Sequence, residues 1–95
     1  MKISSNIKNI AKEVTNWRHE LHKNPELGYE ESWTSDFITK KLESFNIEVH
    51  RGLAGTGVVG ILTGTNGRSN RAIGLRADMD ALPIQEENEI SYKSK

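Results

Sequence analysis

The first part of the chain has the hydrophobic spacing of an amphipathic helix. Ser4 or Ser5 can cap its start by accepting a backbone N–H bond. Asn24-Pro25 ends it, because proline disfavours helical geometry in the residue before it. The apolar residues recur at alternating intervals of four and three and form one stripe, made of Ile3, Ile7, Ile10, Val14, Trp17 and Leu21.

A second helix is predicted from about Glu31 to Phe45, and Asn46 is its expected stop. The apolar residues again fall on one side, which we expect to be buried. That side consists of Trp33, Phe37, Ile38, Leu42 and Phe45.

The hydrophobic period then changes to that of strands. Residues 47–50 alternate apolar and polar side chains, which predicts a half-buried strand. The β-branched stretch from Gly57 to Thr63 predicts a better-buried strand, and Asn66-Gly67 is a strong turn signal. Residues Arg71 to Ala77 predict a third strand, which Pro83 closes. The order α-α-β-β-β defines an α/β fold.

Length and composition narrow the classes of protein that this chain can represent. Its 95 residues suffice for one small domain, and the hydrophobic content of 35% is low enough to predict a fragment of a larger one. Thirteen basic residues balance thirteen acidic ones, so no nucleic-acid partner is expected. No apolar run approaches about 18 residues, so we expect no membrane partner and a cytoplasmic location. The absence of cysteine excludes disulfides and thiolate metal ligands within these residues.

The glycine-rich stretch Gly55 to Gly60 reads G-x-G-x-x-G, with Asp80 about twenty residues further on, which is the spacing of a dinucleotide-binding site. Such a site requires a helix directly after the glycines, because the helix N-terminus holds the pyrophosphate. Residues 61–64 and the turn after them leave no room for that helix. We therefore interpret the stretch as the start of a strand whose backbone lies close to a neighbour.

The histidines permit two interpretations. His19 and His22 are three residues apart and share a helix face, so a metal pair is one hypothesis, although a metalloprotease zinc helix needs a spacing of four. The other is a polar helix end, where the helix dipole favours positive charge. The spacing leaves both open. His50 has no evident partner and is expected to be solvated.

Asp78 and Asp80 are the main candidate for chemistry. At positions i and i+2 of a strand they would share a face at its C-terminal end, where α/β sheets usually place ligands. Adjacent carboxylates repel unless a cation, proton or strong donor intervenes, and a divalent metal is the usual solution. A pair of loop carboxylates, one of them capping the next turn, is the plain alternative.

Two enzyme classes use such a pair. A phosphotransferase of the haloacid-dehalogenase type uses D-x-D after an apolar strand, but usually has Thr or Val where this chain has Leu82. A metal-dependent hydrolase would use one aspartate to orient a metal-binding histidine. The spacing of the two residues does not decide between these classes.

Four segments of the sequence carry a resemblance to a known family: Trp17 to Glu31, Gly55 to Gly60, Gly74 to Ile84, and Gln85-Glu86. Together they resemble the N-terminus of the amidohydrolase branch of the zinc aminoacylase and carboxypeptidase family. This branch includes hippurate hydrolases, N-acyl-amino-acid amidohydrolases and plant auxin-conjugate hydrolases. The similarity covers nearly the whole chain from about Trp17.

The resemblance implies a fold and an activity. The fold would be the N-terminal part of an α/β/α metallohydrolase catalytic domain, with residues 1–95 belonging to that one domain. The activity would be hydrolysis of small-molecule N-acyl amino acids by a homo-oligomer that holds two divalent ions, zinc or manganese. The ions would polarise the carbonyl and acidify a water, while a glutamate acts as general base.

The resemblance also assigns one catalytic-site residue. In the wider family the strand ends in H-x-D-x-x-P, and alignment on Pro83 places Asp78 at the histidine and Asp80 at the aspartate. This branch replaces that histidine with a cysteine from a later C-G-H-D segment. Asp80 therefore carries over in a supporting role, and Asp78 does not inherit the ligand role.

The chain is expected to lack the rest of the family's machinery. It ends at Lys95, before the C-G-H-D segment, the paired glutamates, the later metal histidines and the lid domain. The resemblance thus implies an inactive fragment that binds no metal tightly. A non-catalytic interaction piece or truncated gene product is the alternative hypothesis, and the phosphotransferase is a third.

Overall fold

The computed structural model describes residues 3–65, 70–84 and 87–94. Within them the chain forms two helices, α1 (Ser5–Lys23) and α2 (Ser32–Ser44), and then two strands, β1 (Glu48–Leu53) and β2 (Gly57–Ile61). The strands pair antiparallel, with Glu48 opposite Ile61 and His50 opposite Val59. This arrangement confirms the predicted α/β class.

Helix α1 begins and ends where the sequence predicts. The Ser4 hydroxyl accepts a hydrogen bond from the Asn6 amide at 3.2 Å, which caps the N-terminus. At the other end the Asn24 amide donates to the Leu21 carbonyl at 3.2 Å, and the Asn24 side chain donates to the Glu20 carbonyl at 3.0 Å. These bonds satisfy carbonyls that would otherwise lack a partner at the helix end.

The apolar stripe of α1 stays largely uncovered by the described residues. Ile7 is 58% exposed, and Ile3, Ile10 and Val14 are exposed as well. Near the C-terminal end of the stripe, Trp17 makes an edge-on contact with Phe45, with ring centroids 6.0 Å apart. The part of the stripe from Ile3 to Val14 is thus an exposed apolar surface in the described chain.

The predicted buried side of α2 is partly wrong. Phe37, Ile38 and Leu42 are half-buried, but Trp33 is 37% exposed and Phe45 53% exposed. The helix instead buries its small polar residues Thr34, Ser35 and Thr39. Thr34 and Ser35 have hydrogen-bond partners on the preceding turn and on β1, which draws this face inward. The aromatic residues then lie at its margin.

The second strand is also less buried than predicted. Strand β2 ends at Ile61, and its residues are half-buried or exposed. The sheet has two strands in the described part of the chain, and α2 is the helix packed against both of them. Without further layers, the outer residues of β2 face solvent.

The third strand predicted over residues 71–77 is wrong. Residues 70–84 contain no strand, and Leu75 is 96% exposed. A strand requires a hydrogen-bonded neighbour, and this segment pairs with neither β1 nor β2. The turn predicted at Asn66-Gly67 lies outside the described residues.

The described chain is more open than a compact domain. Its radius of gyration is 15.9 Å, compared with about 13 Å for a compact domain of about 100 residues. Among the described residues, no hydrophobic side chain is fully buried. Neither helix combines the length and the hydropathy needed to cross a membrane.

We expect the chain to self-associate in solution, because the α1 stripe and the apolar edge formed by residues 58–62 are unpartnered. Replacing Ile10 with lysine should shift sedimentation towards the monomer, since a charge on the stripe must be desolvated in any apolar contact. Thr15→Lys adds the same charge to α1 outside the stripe and serves as the control. A sharp, concentration-independent thermal transition from monomeric wild-type chain would contradict this expectation.

Candidate functional site

Residues 77–80 lie between two clefts. The first, of about 340 Å³, is bounded by the turn at residues 28–31 and by the β1–β2 turn. The second, of about 420 Å³, is bounded by the end of α1 and by α2. Asp78 and Asp80 line both clefts.

The backbone next to Asp80 is bound to the turn that follows α1. The amide of its neighbour Ala81 donates a hydrogen bond of 2.7 Å to the Glu26 carbonyl. Gly28 lies so near that an added Cβ would stand 4.0 Å from Asp80 Oδ2. The Asp80 side chain is exposed, and its carboxylate is therefore accessible to a group arriving from solvent or from another part of the protein.

Asp78 has different surroundings. Its Oδ1 lies 2.7 Å from Nη2 of Arg76, and both side chains are exposed. The prediction that the two carboxylates share a strand face is wrong here, because this segment forms no strand. Sequence reasoning also missed Arg76, whose position two residues before Asp78 was the available signal. The guanidinium supplies the positive charge beside Asp78.

The described residues do not by themselves fit a metal centre. Across residues 3–65, 70–84 and 87–94, no three His, Cys, Asp or Glu side chains converge on one point. Asp78 is paired with Arg76, and neither Asp78 nor Asp80 belongs to such a group.

His19 and His22 pack against an aromatic ring from the end of the chain. The His19 ring stacks on Tyr92 at 3.6 Å between centroids and 5° between planes, and His22 meets Tyr92 edge-on at 6.0 Å. Desolvation, and then the charges of Arg18, His22 and Lys23, lower the pKa of His19. Sequence reasoning did not identify Tyr92, because nothing in its spacing indicates this long-range contact.

His50 is exposed, as predicted, but it has a partner. Its Nε2 lies 2.6 Å from Oε2 of Glu48. The expectation that it has none is wrong because residues i and i+2 of a strand share a face.

The glycine-rich stretch has the structural role predicted for it. A Cβ at Gly57 would lie 2.5 Å from the Leu53 carbonyl oxygen, and one at Gly60 would lie 3.1 Å from Cγ2 of Ile47. Strand β2 starts at Gly57, so no helix follows the glycines. The arrangement excludes the dinucleotide-binding site described above, because that site requires a helix N-terminus at this point.

Glu26 is a structural residue that sequence reasoning missed. Its carboxylate accepts hydrogen bonds from the Trp33 amide at 3.1 Å, the Thr34 amide at 2.7 Å and the Thr34 hydroxyl at 2.7 Å. Burial raises the pKa of Glu26, but the bonds from Thr34 and Trp33 outweigh it and hold the pKa below its usual value. A residue outside α2 therefore caps that helix.

This cap predicts a pH dependence of stability. The pKa of Glu26 is lower in the folded chain than its ordinary value of 4.5. The cap therefore contributes its full stabilisation above about pH 4.5, and this stabilisation is lost as the pH falls through the pKa of the folded chain. At pH 7, Glu26→Gln should lower the free energy of unfolding by about 1 kcal/mol. Urea unfolding followed by tryptophan fluorescence between pH 7 and 3 measures this. Glu30→Gln, a nearby exposed change, is the control, and equal effects of the two variants would refute the cap.

Comparison with known proteins places the chain among hydrolases. It is 45% identical to the hippurate hydrolase of Campylobacter jejuni over all 95 residues, which is 24% of that protein. It is 39% identical to thermostable carboxypeptidase 2 of Saccharolobus solfataricus over 100% of the chain and 25% of that protein. It is 41% identical to the N-acyl-L-amino acid amidohydrolase of Geobacillus stearothermophilus over 90% of the chain and 23% of that protein. No protein-family model and no solved structure matches the chain.

These similarities define the class of protein. The three relatives named here are all hydrolases. The chain belongs to the family of amidohydrolases and carboxypeptidases that the sequence resemblance indicated. It spans about a quarter of the length of these curated relatives.

Proposed function

We propose that this chain is part of a metal-dependent amidohydrolase that cleaves N-acyl amino acids, and that it contributes Asp80 to the active site. The observation that carries the proposal is the 45% identity to a hippurate hydrolase over the whole chain. The named amidohydrolase of Geobacillus stearothermophilus, 41% identical, supports the same substrate class. The remaining three quarters of such a protein would supply the metal ligands and the general base.

Asp80 would act as a positioning residue. Its carboxylate is exposed, carries no arginine partner among the described contacts, and lies on a segment that a backbone hydrogen bond fixes beside the 26–28 turn. These properties suit a carboxylate that accepts the second ring N–H of a metal-bound histidine, which fixes the tautomer of the ring. Bound divalent ions would polarise the scissile carbonyl and acidify the attacking water.

The substrate, the oligomeric state, the location and the metal ions in this proposal are taken from the family resemblance. The substrate would be a small N-acyl amino acid, and the whole protein would work as a homo-oligomer in the cytoplasm with two zinc or manganese ions. The 95-residue chain alone would be an inactive fragment, because its described residues contain no cluster of metal-binding side chains.

A chimera tests the proposal. Residues 1–95 replace the matched segment of the Campylobacter jejuni hippurate hydrolase, and hydrolysis of N-benzoylglycine and N-acetyl amino acids is measured. We expect turnover that a chelator abolishes and that zinc or manganese restores. Turnover that persists after chelation would contradict metal dependence. A folded chimera that cleaves no N-acyl amino acid would contradict the proposed activity of this segment.

A further inference from the structure

The segment that carries Asp80 has no regular secondary structure, so its position depends on individual contacts. The hydrogen bond of 2.7 Å from the Ala81 amide to the Glu26 carbonyl fixes the backbone directly after Asp80. Gly28 lies on the same turn, and a Cβ added at Gly28 would be 4.0 Å from Asp80 Oδ2, which is an ordinary van der Waals contact. The turn at residues 26–28 is therefore the surface against which Asp80 is placed.

That turn is itself anchored to α2 by the side chain of Glu26. Its Oε1 accepts bonds from both the amide and the hydroxyl of Thr34, and its Oε2 accepts one from the Trp33 amide. Thr34 is buried and its two bonds to Glu26 are part-buried, which limits competition from water, whereas the bond from the Trp33 amide is exposed. Three donors at the N-terminus of α2 thus hold one carboxylate.

We propose that Glu26 is a positioning residue for Asp80. Its carboxylate anchors the 26–28 turn to the N-terminus of α2, and its carbonyl holds the backbone of Ala81 against the same turn. Through these two contacts of Glu26, the position of Asp80 depends on the position of α2. The chemical consequence rests on the function proposed above for Asp80, whereas the positioning itself does not.

Amide exchange in the 95-residue chain tests the positioning directly. Glu26→Gln should speed exchange at Trp33, Thr34 and Ala81 by roughly three- to tenfold, because the charged cap is lost. The amides of β1 and β2 should keep their rates. Glu30→Gln removes a nearby charge that lies outside the 26–28 turn, and it should leave all of these amides unchanged. Uniformly faster exchange throughout the chain would reduce Glu26 to a general structural role and overturn the proposal.

A second variant keeps the test local. Thr34→Val removes the hydroxyl donor to Glu26 while preserving the side-chain shape, and it should speed exchange at Ala81 by a smaller factor. Combined with Glu26→Gln, it should add little, since both changes break the same contact. If Ala81 keeps its rate in Glu26→Gln while Trp33 and Thr34 exchange faster, the cap and Asp80 are uncoupled and the proposal is wrong.

Kinetics of the chimera extend the test to catalysis. Glu26→Gln should lower kcat several-fold with little change in KM, and should cost almost nothing further when Asp80 is already asparagine. Additive losses in the double variant would overturn the coupling. If the parent chimera shows no turnover, the proposed function fails, and the exchange rates still decide whether Glu26 positions Asp80.

Discussion

Asp80→Asn is expected to lower the turnover of N-acyl amino acids by the chimera about 10- to 100-fold, the usual cost of losing a carboxylate that supports a metal ligand. The change keeps the shape of the side chain and removes its charge. Asp80 is exposed, so folding should survive. Metal content should fall in parallel, because the supported histidine becomes a weaker ligand.

Asp78→Asn is the matched control for this prediction. Asp78 lies two residues away, lines the same clefts and is paired with Arg76, so its loss should affect turnover less. Turnover and bound metal are measured for both variants. If Asp78→Asn strips the metal while Asp80→Asn leaves metal and turnover intact, the two roles are assigned the wrong way round.

The 95-residue chain alone is expected to show no hydrolysis of N-acetyl or N-benzoyl amino acids above background, with or without zinc or manganese. Among its described residues no cluster of potential metal ligands exists, and water activation by a metal requires one. The measurement is release of the free amino acid by purified chain. Metal-dependent turnover that disappears in Asp80→Ala would contradict this prediction.

Helix positions could be predicted from the sequence because their signals are local. The spacing of the α1 stripe, the Ser4 cap and the stop at Asn24 depend on neighbouring residues, and the structure has them as expected. The glycine-rich stretch was interpretable for the same reason, since the residues after Gly60 exclude a helix.

Burial and strand pairing could not be predicted in the same way. Whether residues 71–77 form a strand depends on a neighbour elsewhere in the fold, and the apolar pattern alone does not supply one. Trp33 and Phe45 have the right helical spacing, but the described layers are too few to cover them. The pattern identified which residues are apolar, whereas their burial depends on tertiary packing.

In the candidate site, too, local features could be predicted from the sequence and long-range contacts could not. Asp78 and Asp80 could be proposed from a local pattern of two aspartates after an apolar stretch, and the resemblance then selected Asp80. Glu26 was missed, because its contact with Thr34 spans eight residues and crosses from a turn to a helix. The stack of Tyr92 on His19 spans most of the chain and has no sequence signature.

A crystal structure of the metal-loaded chimera is the most direct test of the central claim, that this chain supplies the positioning carboxylate of an amidohydrolase site. The distance to measure is from the Asp80 carboxylate oxygens to the ring nitrogens of the histidines bound to metal. We predict that one oxygen accepts a hydrogen bond from such a ring, at about 2.7–2.9 Å. An Asp80 that faces solvent, with Asp78 or another carboxylate holding the histidine, would contradict the account.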